Sequence, residues 1–265
     1  MELQSRLPEL RAAGLGLVAI SYDAVPVLAD FAARRGITFP LLSDKGSATI
    51  RRFGLLNTTV PETNALFGYP HPGTFIVDRR GVVTSRVFEQ AYQERTTIRA
   101  VMVRLGARVD VPATRVSAPH LDVTLYATDQ IAAPGTHLSL VLDIEAAPTV
   151  HVYAPGVVGY RPIALVIDPQ PGLLVRSTLY PASTDYVFEP LQEHVPVFQG
   201  RFRIVQDVAL DASREGEAVL KTMATMTVAG RLDYQACDDR ECFNPQSVAL
   251  KWTLAVKPLD RERAK

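Results

Sequence analysis

The hydrophobic pattern of this 265-residue chain changes character near residue 106, and that change divides it into two domains. Before it, helical periodicities alternate with apolar runs. Leu3, Leu7 and Leu10 share one helix face that stops at Gly14, and Pro8 demands a kink or a late start. Leu15–Ser21 is a continuous apolar run, the pattern of a strand buried on both faces. A helix over 24–35 closed by Gly36, an extended piece at Phe39–Asp44 and a helix over 46–53 follow. Gly73–Asp78 reads as another buried strand, turning through Arg79–Gly81 into Val82–Phe88, and residues 93–105 read as a last helix. This alternation predicts an α/β layer structure with helices on both faces of its sheet.

After residue 106 the pattern is of short alternating runs separated by Pro and Gly. They fall at Leu121–Tyr126, His137–Ile144, Ile163–Ile167, Gly200–Val208, Lys221–Val228 and Val248–Val256, with no long helix between them. This predicts an antiparallel β-sandwich. The expected organisation is an α/β domain over 1–105, a linker over 106–119, a sandwich over 120–258 and a tail over 259–265.

A hydrophobic content of 47% with 21% charged residues suffices for real cores. Basic and acidic residues balance at 28 each, so there is no electrostatic case for binding nucleic acid or an anionic membrane. No segment approaches the ~20 apolar residues of a membrane span. Leu15–Ile20 is short and follows an acidic, amphipathic opening, which is not the pattern of a signal peptide.

The thiol chemistry of the chain is concentrated in one place. Its two cysteines, Cys237 and Cys242, lie in Tyr234-Gln-Ala-Cys-Asp-Asp-Arg-Glu-Cys-Phe-Asn-Pro245. Four residues between them allow a small disulfide ring if the backbone turns and brings the Cβ atoms to about 3.8 Å. Three readings stand: a structural disulfide, a redox-active pair, or two ligands of a metal site. The last lacks partners, since structural zinc usually takes four Cys or His ligands and the nearest other candidate, His194, is far away in sequence. Asp238, Asp239, Arg240 and Glu241 make a loop too charged to bury, so an exchange partner can reach it. Three carboxylates would raise a thiol pKa and Arg240 would lower it, so the charges do not decide reactivity.

The first half resembles the redoxin branch of the thioredoxin superfamily, the alkyl hydroperoxide reductase/thiol-specific antioxidant (AhpC/TSA) type. The likeness covers roughly residues 2–103 and is carried by Val18–Asp23, Phe39–Asp44, Ile50–Gly54 and Pro70–Asp78. It implies that Pro72 is the family's cis-proline, beside the reactive cysteine. Yet residues 1–236 contain no cysteine, and the strand and cysteine motif that open the family's fold are absent. This half therefore cannot reduce a peroxide or a disulfide by the family mechanism. The missing strand would leave a gap in the sheet, which suggests that Met1 is an internal residue of a longer protein. The alternative is a degenerate redoxin kept as a scaffold.

The second half resembles the N-terminal periplasmic domain of DsbD-type thiol:disulfide interchange proteins, an immunoglobulin-like sandwich that passes electrons through one cysteine pair. The likeness rests on His151–Gly156, Val195–Gly200 and above all Leu232–Pro245. It implies Cys237 and Cys242 as the redox pair, with Tyr234, Gln235 and Pro245 shaping the site. A protective loop would fall near Tyr180–Glu193, with Tyr186 and Phe188 as lids. It also implies a partner protein for thiol–disulfide exchange, thioredoxin-like or a membrane electron donor, with no cofactor and no metal, in a periplasmic or other extracytoplasmic compartment. The rival is a non-enzymatic scaffold with a structural disulfide.

His151 and Tyr153 read as core residues with satisfied polar tips, and Trp252 as core. His71 reads as a loop residue, and Arg51 and Arg52 as a solvated helix face. His120, His137 and His194 show no metal-ligand spacing.

Overall fold

The structure is a computed structural model that describes residues 2–64, 67–71, 73–88, 94–188 and 193–258. The chain forms two compact units, Met1–Ile98 and Arg99–Lys265.

The first unit opens with α1 (Glu2–Ser5) and α2 (Leu7–Ala12). Pro8 sits in the first turn of α2, where its missing N–H costs nothing, so the late start is the one realised. β1 (Ala19–Ser21), α3 (Val25–Arg35) and β2 (Leu41–Ser43) follow. Gly36 ends α3 in the left-handed conformation, which lacks a steric penalty only for glycine. α4 (Ala48–Arg52) begins where the Asp44 carboxylate accepts from the backbone N–H groups of Thr49 and Ile50. These bonds hold the Asp44 carboxyl below the usual carboxylate range. β3 (Gly73–Val77) and β4 (Val83–Phe88) form a hairpin, and β5 (Arg95–Thr96) follows.

β1 and β2 pair in parallel, Ile20 opposite Leu42, and β3 pairs with β4. Among the described residues no pairing joins these two ladders, in keeping with the expected gap. The expectation of strands buried on both faces fails here. Ile20 is 48% exposed, Leu42 47% and Val77 53%. A two-stranded ladder offers each side chain too few neighbours to cover it.

The second unit begins within α5 (Ile98–Arg104), which the sequence assigned to the α/β half. Its Val103 packs with Tyr126, Val141 and Val205, joined by Val109 and Val111. The strands are β6 (Thr114–Ala118), β7 (Leu121–Ala127), β8 (Ile131–Ala132), β9 (Thr136–Ala146), β10 (His151–Tyr153), β11 (Ala164–Ile167) and β12 (Leu173–Leu179). Next come β13 (Thr184–Phe188), β14 (Glu193–Gln199), β15 (Arg201–Leu210), α6 (Arg214–Leu220), β16 (Thr225–Tyr234), β17 (Ala236–Cys237) and β18 (Gln246–Val256).

These strands form sheets ordered β12-β15-β9-β7-β6, β11-β16-β18-β8 and β13-β14-β10-β17. Their inner faces share one core that includes Leu140, Leu142, Ile204, Val152, Phe198, Leu232 and Trp252. Gly230 lets β16 lie close to β11, because a Cβ there would come within 2.5 Å of the Val166 carbonyl oxygen.

β9 is buried on both faces. Leu140 and Leu142 face the main core, while Val141 faces α5 and the segment after it. That outer face is held by charge. Arg104 pairs with the buried Asp207, which also accepts from Ser139 Oγ at 2.9 Å. Arg203 grips both Asp143 oxygens, at 2.6 and 3.0 Å, and donates to the Ala107 carbonyl. The stretch expected as a linker is thus partly bound to the sheet, and β6 within it pairs with β7.

Arg104→Ala should strip α5 from this face and leave the Asp207 charge poorly paired. Arg104 keeps contact with water, so the expected loss is about 2 kcal/mol rather than the ~3–5 of a fully buried pair, read as a lower denaturation midpoint.

Candidate functional site

Period-two alternation in three short strands builds the site. β10 pairs with β14 on one side and β17 on the other, and β14 also pairs with β13. Val152, Ala236 and Phe198 point into the main core. Tyr153, Val195, Val197 and Cys237 cluster on the opposite face, with Val157, Tyr160 and Tyr186 packed against them. Directly opposed residues of antiparallel strands share a face, and His151 lies opposite Cys237.

Cys237 and Cys242 form a disulfide with Cα atoms 4.0 Å apart. The loop between them is an Asx-type turn. The Asp238 carboxylate accepts from the backbone N–H groups of Arg240 and Glu241, and Asp238 N–H donates to the Glu241 carbonyl. Bonding to Glu241 and Arg240 keeps the Asp238 carboxyl below its ordinary range. The two sulfurs are not equivalent: Cys237 is 1% exposed, whereas Cys242 is an exposed residue.

An aromatic wall surrounds the pair. The Tyr153 hydroxyl lies 3.5 Å from Cys242 Sγ, and burial pushes its pKa up to about 12. Tyr160 stacks on Tyr153 at 4.2 Å and donates to Glu193. Tyr186 lies 4.2 Å from the His151 ring and donates to Asp239 in the cysteine loop at 2.9 Å. His120 stacks on Phe243 at 3.9 Å.

The expected site residues separate by face. Tyr234 is fully buried in the main core, its hydroxyl donating to the Pro119 carbonyl at 2.7 Å, so it anchors β16 rather than lining the site. Gln235 Nε2 donates to the Phe243 carbonyl at 3.1 Å and ties down the chain after Cys242. Pro245 is exposed just before β18. Pro72 lies outside the described residues, as does the side chain of Phe188. His151 and Tyr153 are buried, as the core reading expects, but they lie on the face that carries the disulfide, and the His151 ring nitrogens lack the partners expected of them. Tyr160 was missed; it lies in an irregular loop and has no strand pattern to signal it.

The comparisons with known proteins begin with the first unit. Residues 1–86 match the AhpC/TSA family. The alkyl hydroperoxide reductase E proteins of Mycobacterium bovis and Mycobacterium tuberculosis are 31% identical over 96 residues, covering 36% of this chain. The chain spans 58% of the length of these relatives. Both cysteines lie beyond this redoxin-type segment. Among solved structures, the N-terminal domain of Neisseria meningitidis DsbD in the reduced form aligns with a TM-score of 0.30 at 12% identity, covering 43% of this chain and 74% of that one. The N-terminal periplasmic domain of Proteus mirabilis ScsB aligns at 0.34 and 15% identity, covering 51% of this chain and 49% of that one. Likeness at this level is too low to assign a fold.

Two outcomes are expected. Burial holds the His151 imidazole below its ordinary pKa, against the opposing pull of Asp239 and Asp238. The unfolded chain then binds a proton that the folded one refuses. Stability should be full above about pH 6.5 and fall as pH drops below it, and a melting-temperature series should show less of this fall in His151→Asn. Tyr186→Phe removes the bond to Asp239, and Cys242 should then react with a small thiol a few-fold faster, measured by stopped-flow.

Proposed function

We propose that this chain is a thiol–disulfide redox protein that exchanges electrons through Cys237 and Cys242. The observation that carries this reading is the asymmetry of the pair: Cys242, an exposed residue, bonded to the buried Cys237. A thiolate attacks along the axis of the S–S bond and needs one accessible sulfur and one leaving group. In this reading the exposed residue, Cys242, carries the attacked sulfur and the buried Cys237 is the leaving group.

In the proposed reaction a partner thiolate attacks Cys242 Sγ. The Cys237–Cys242 bond breaks, a mixed disulfide forms, and Cys237 departs as thiolate. A second partner thiol then attacks the partner's own sulfur and releases Cys242, so that two electrons enter this chain. Run backwards, the same steps deliver two electrons to an oxidised partner. The fitting partner is a protein with its own cysteine pair, either thioredoxin-like or a membrane electron donor. The motif Leu232–Pro245 supports an immunoglobulin-like, DsbD-type reading of the second unit. Its compartment would be periplasmic or otherwise extracytoplasmic, where disulfides persist. Among the described residues no helix is long and apolar enough to cross a membrane.

The redoxin-type segment contributes no cysteine in residues 1–86. In this reading it is a scaffold or docking element for the exchange. Peroxide reduction by this chain is a poor fit, because Cys237 is shielded and the loop beside Cys242 is acidic.

Equilibration with glutathione or dithiothreitol buffers, with thiols counted by alkylation and mass, should give a midpoint between about −120 and −270 mV. A pair that stays oxidised below about −300 mV would make the bond structural and leave a scaffold protein.

A further inference from the structure

We infer that His151 is the proton-exchange group of the Cys237 sulfur, taking its proton when Cys237 attacks and returning it when Cys237 leaves. The inference rests on the exchange reading above. His151 is 2% exposed, and neither of its ring nitrogens has a hydrogen-bond partner among the described residues. A buried imidazole with both nitrogens idle is costly, because each polar nitrogen has lost water without replacement. The register supplies the missing partner. His151 faces Cys237 across β10 and β17, and paired Cβ atoms in such a ladder are about 4.5–5.5 Å apart. In the disulfide, the Cys237 sulfur has no proton to share. Once the bond opens, a thiol or thiolate appears beside the unpaired imidazole.

The surroundings suit a base. His151 is flanked by Tyr153 on its own strand, Tyr186 from β13, Cys237 from β17, and Asp238 and Asp239 from the cysteine loop. Burial favours the neutral ring, which can accept a proton, and the two carboxylates favour the protonated ring once it forms. In the closing step the Cys237 thiol gives its proton to a His151 ring nitrogen. The thiolate's electron pair forms a bond to Cys242 Sγ. The bond from Cys242 Sγ to the partner sulfur breaks, and the partner leaves as thiolate with two electrons. In the opening step Cys237 leaves as thiolate and recovers its proton from His151.

The test uses the full chain. The reduced protein is treated in acid with a pyridyl disulfide of glutathione, which reaches Cys242. It is then shifted to higher pH, and closure is followed by glutathione release. In wild type the rate should level off below the ordinary thiol range. In His151→Asn and His151→Phe it should rise tenfold per pH unit up to about pH 8.5 and be about tenfold slower at neutral pH. The second measurement needs no substitution: the ring nitrogen shifts of His151, followed by NMR, should titrate at different pH in the oxidised and reduced wild-type protein. Identical closing profiles in all three proteins, or an imidazole titration unchanged by reduction, would overturn the role of His151. A wild-type pair that cannot be opened at all ends the exchange reading itself, and this inference with it.

Discussion

The pairing of β10 with β17 holds only a few residues, yet the site depends on it. Val152 and Ala236 sit opposite each other with their side chains in the main core. That burial sets the register, because slipping either strand by one residue would turn its apolar side chain to the wrong face. The same register places His151 and Cys237 together on the other face. The geometry of the sulfur chemistry is therefore fixed by two apolar side chains that take no part in it. The turn held by Asp238 then brings Cys242 back to Cys237.

The two units solve the burial problem to different degrees. The second has sheets that cover one another's inner faces and a helix, α5, over the outer face of β9. Charged groups at that outer face are paired, as a partly buried charge requires. Among the described residues the first has two separate two-stranded ladders, with Val18, Ile20, Leu42 and Val77 about half exposed. Among the described residues of the redoxin-type half no pairing joins the two ladders into one sheet.

Much of the fold was legible from residue pattern. The helix closed by Gly36, the hairpin after Arg79 and six strands of the second half follow from periodicity and turn residues. Other elements were not. α6 escaped notice although Ser213 caps it, accepting from the Gly216 N–H, and Glu215 and Glu217 fill its first turn. It is too short to show a helical stripe. The strand at Gly73–Val77 has the composition of a buried strand and is largely exposed, because burial depends on neighbours and not on the strand itself. At the site, the cysteine pair was evident in the sequence. The face occupied by Tyr234 and the placing of His151 opposite Cys237 were not.

By itself the sequence determined that the residue pattern changes character near residue 106, that no cysteine precedes residue 237, and that the cysteine chemistry lies in one acidic loop. These follow from local pattern and residue identity, which need no third dimension. Only the tertiary structure decided which cysteine is the exposed residue, which aromatic rings lie beside the pair, and which unit α5 packs in. Each of these depends on contacts between residues far apart in the chain. His151 and Cys237 are separated by 85 intervening positions, and a backbone ladder makes them neighbours.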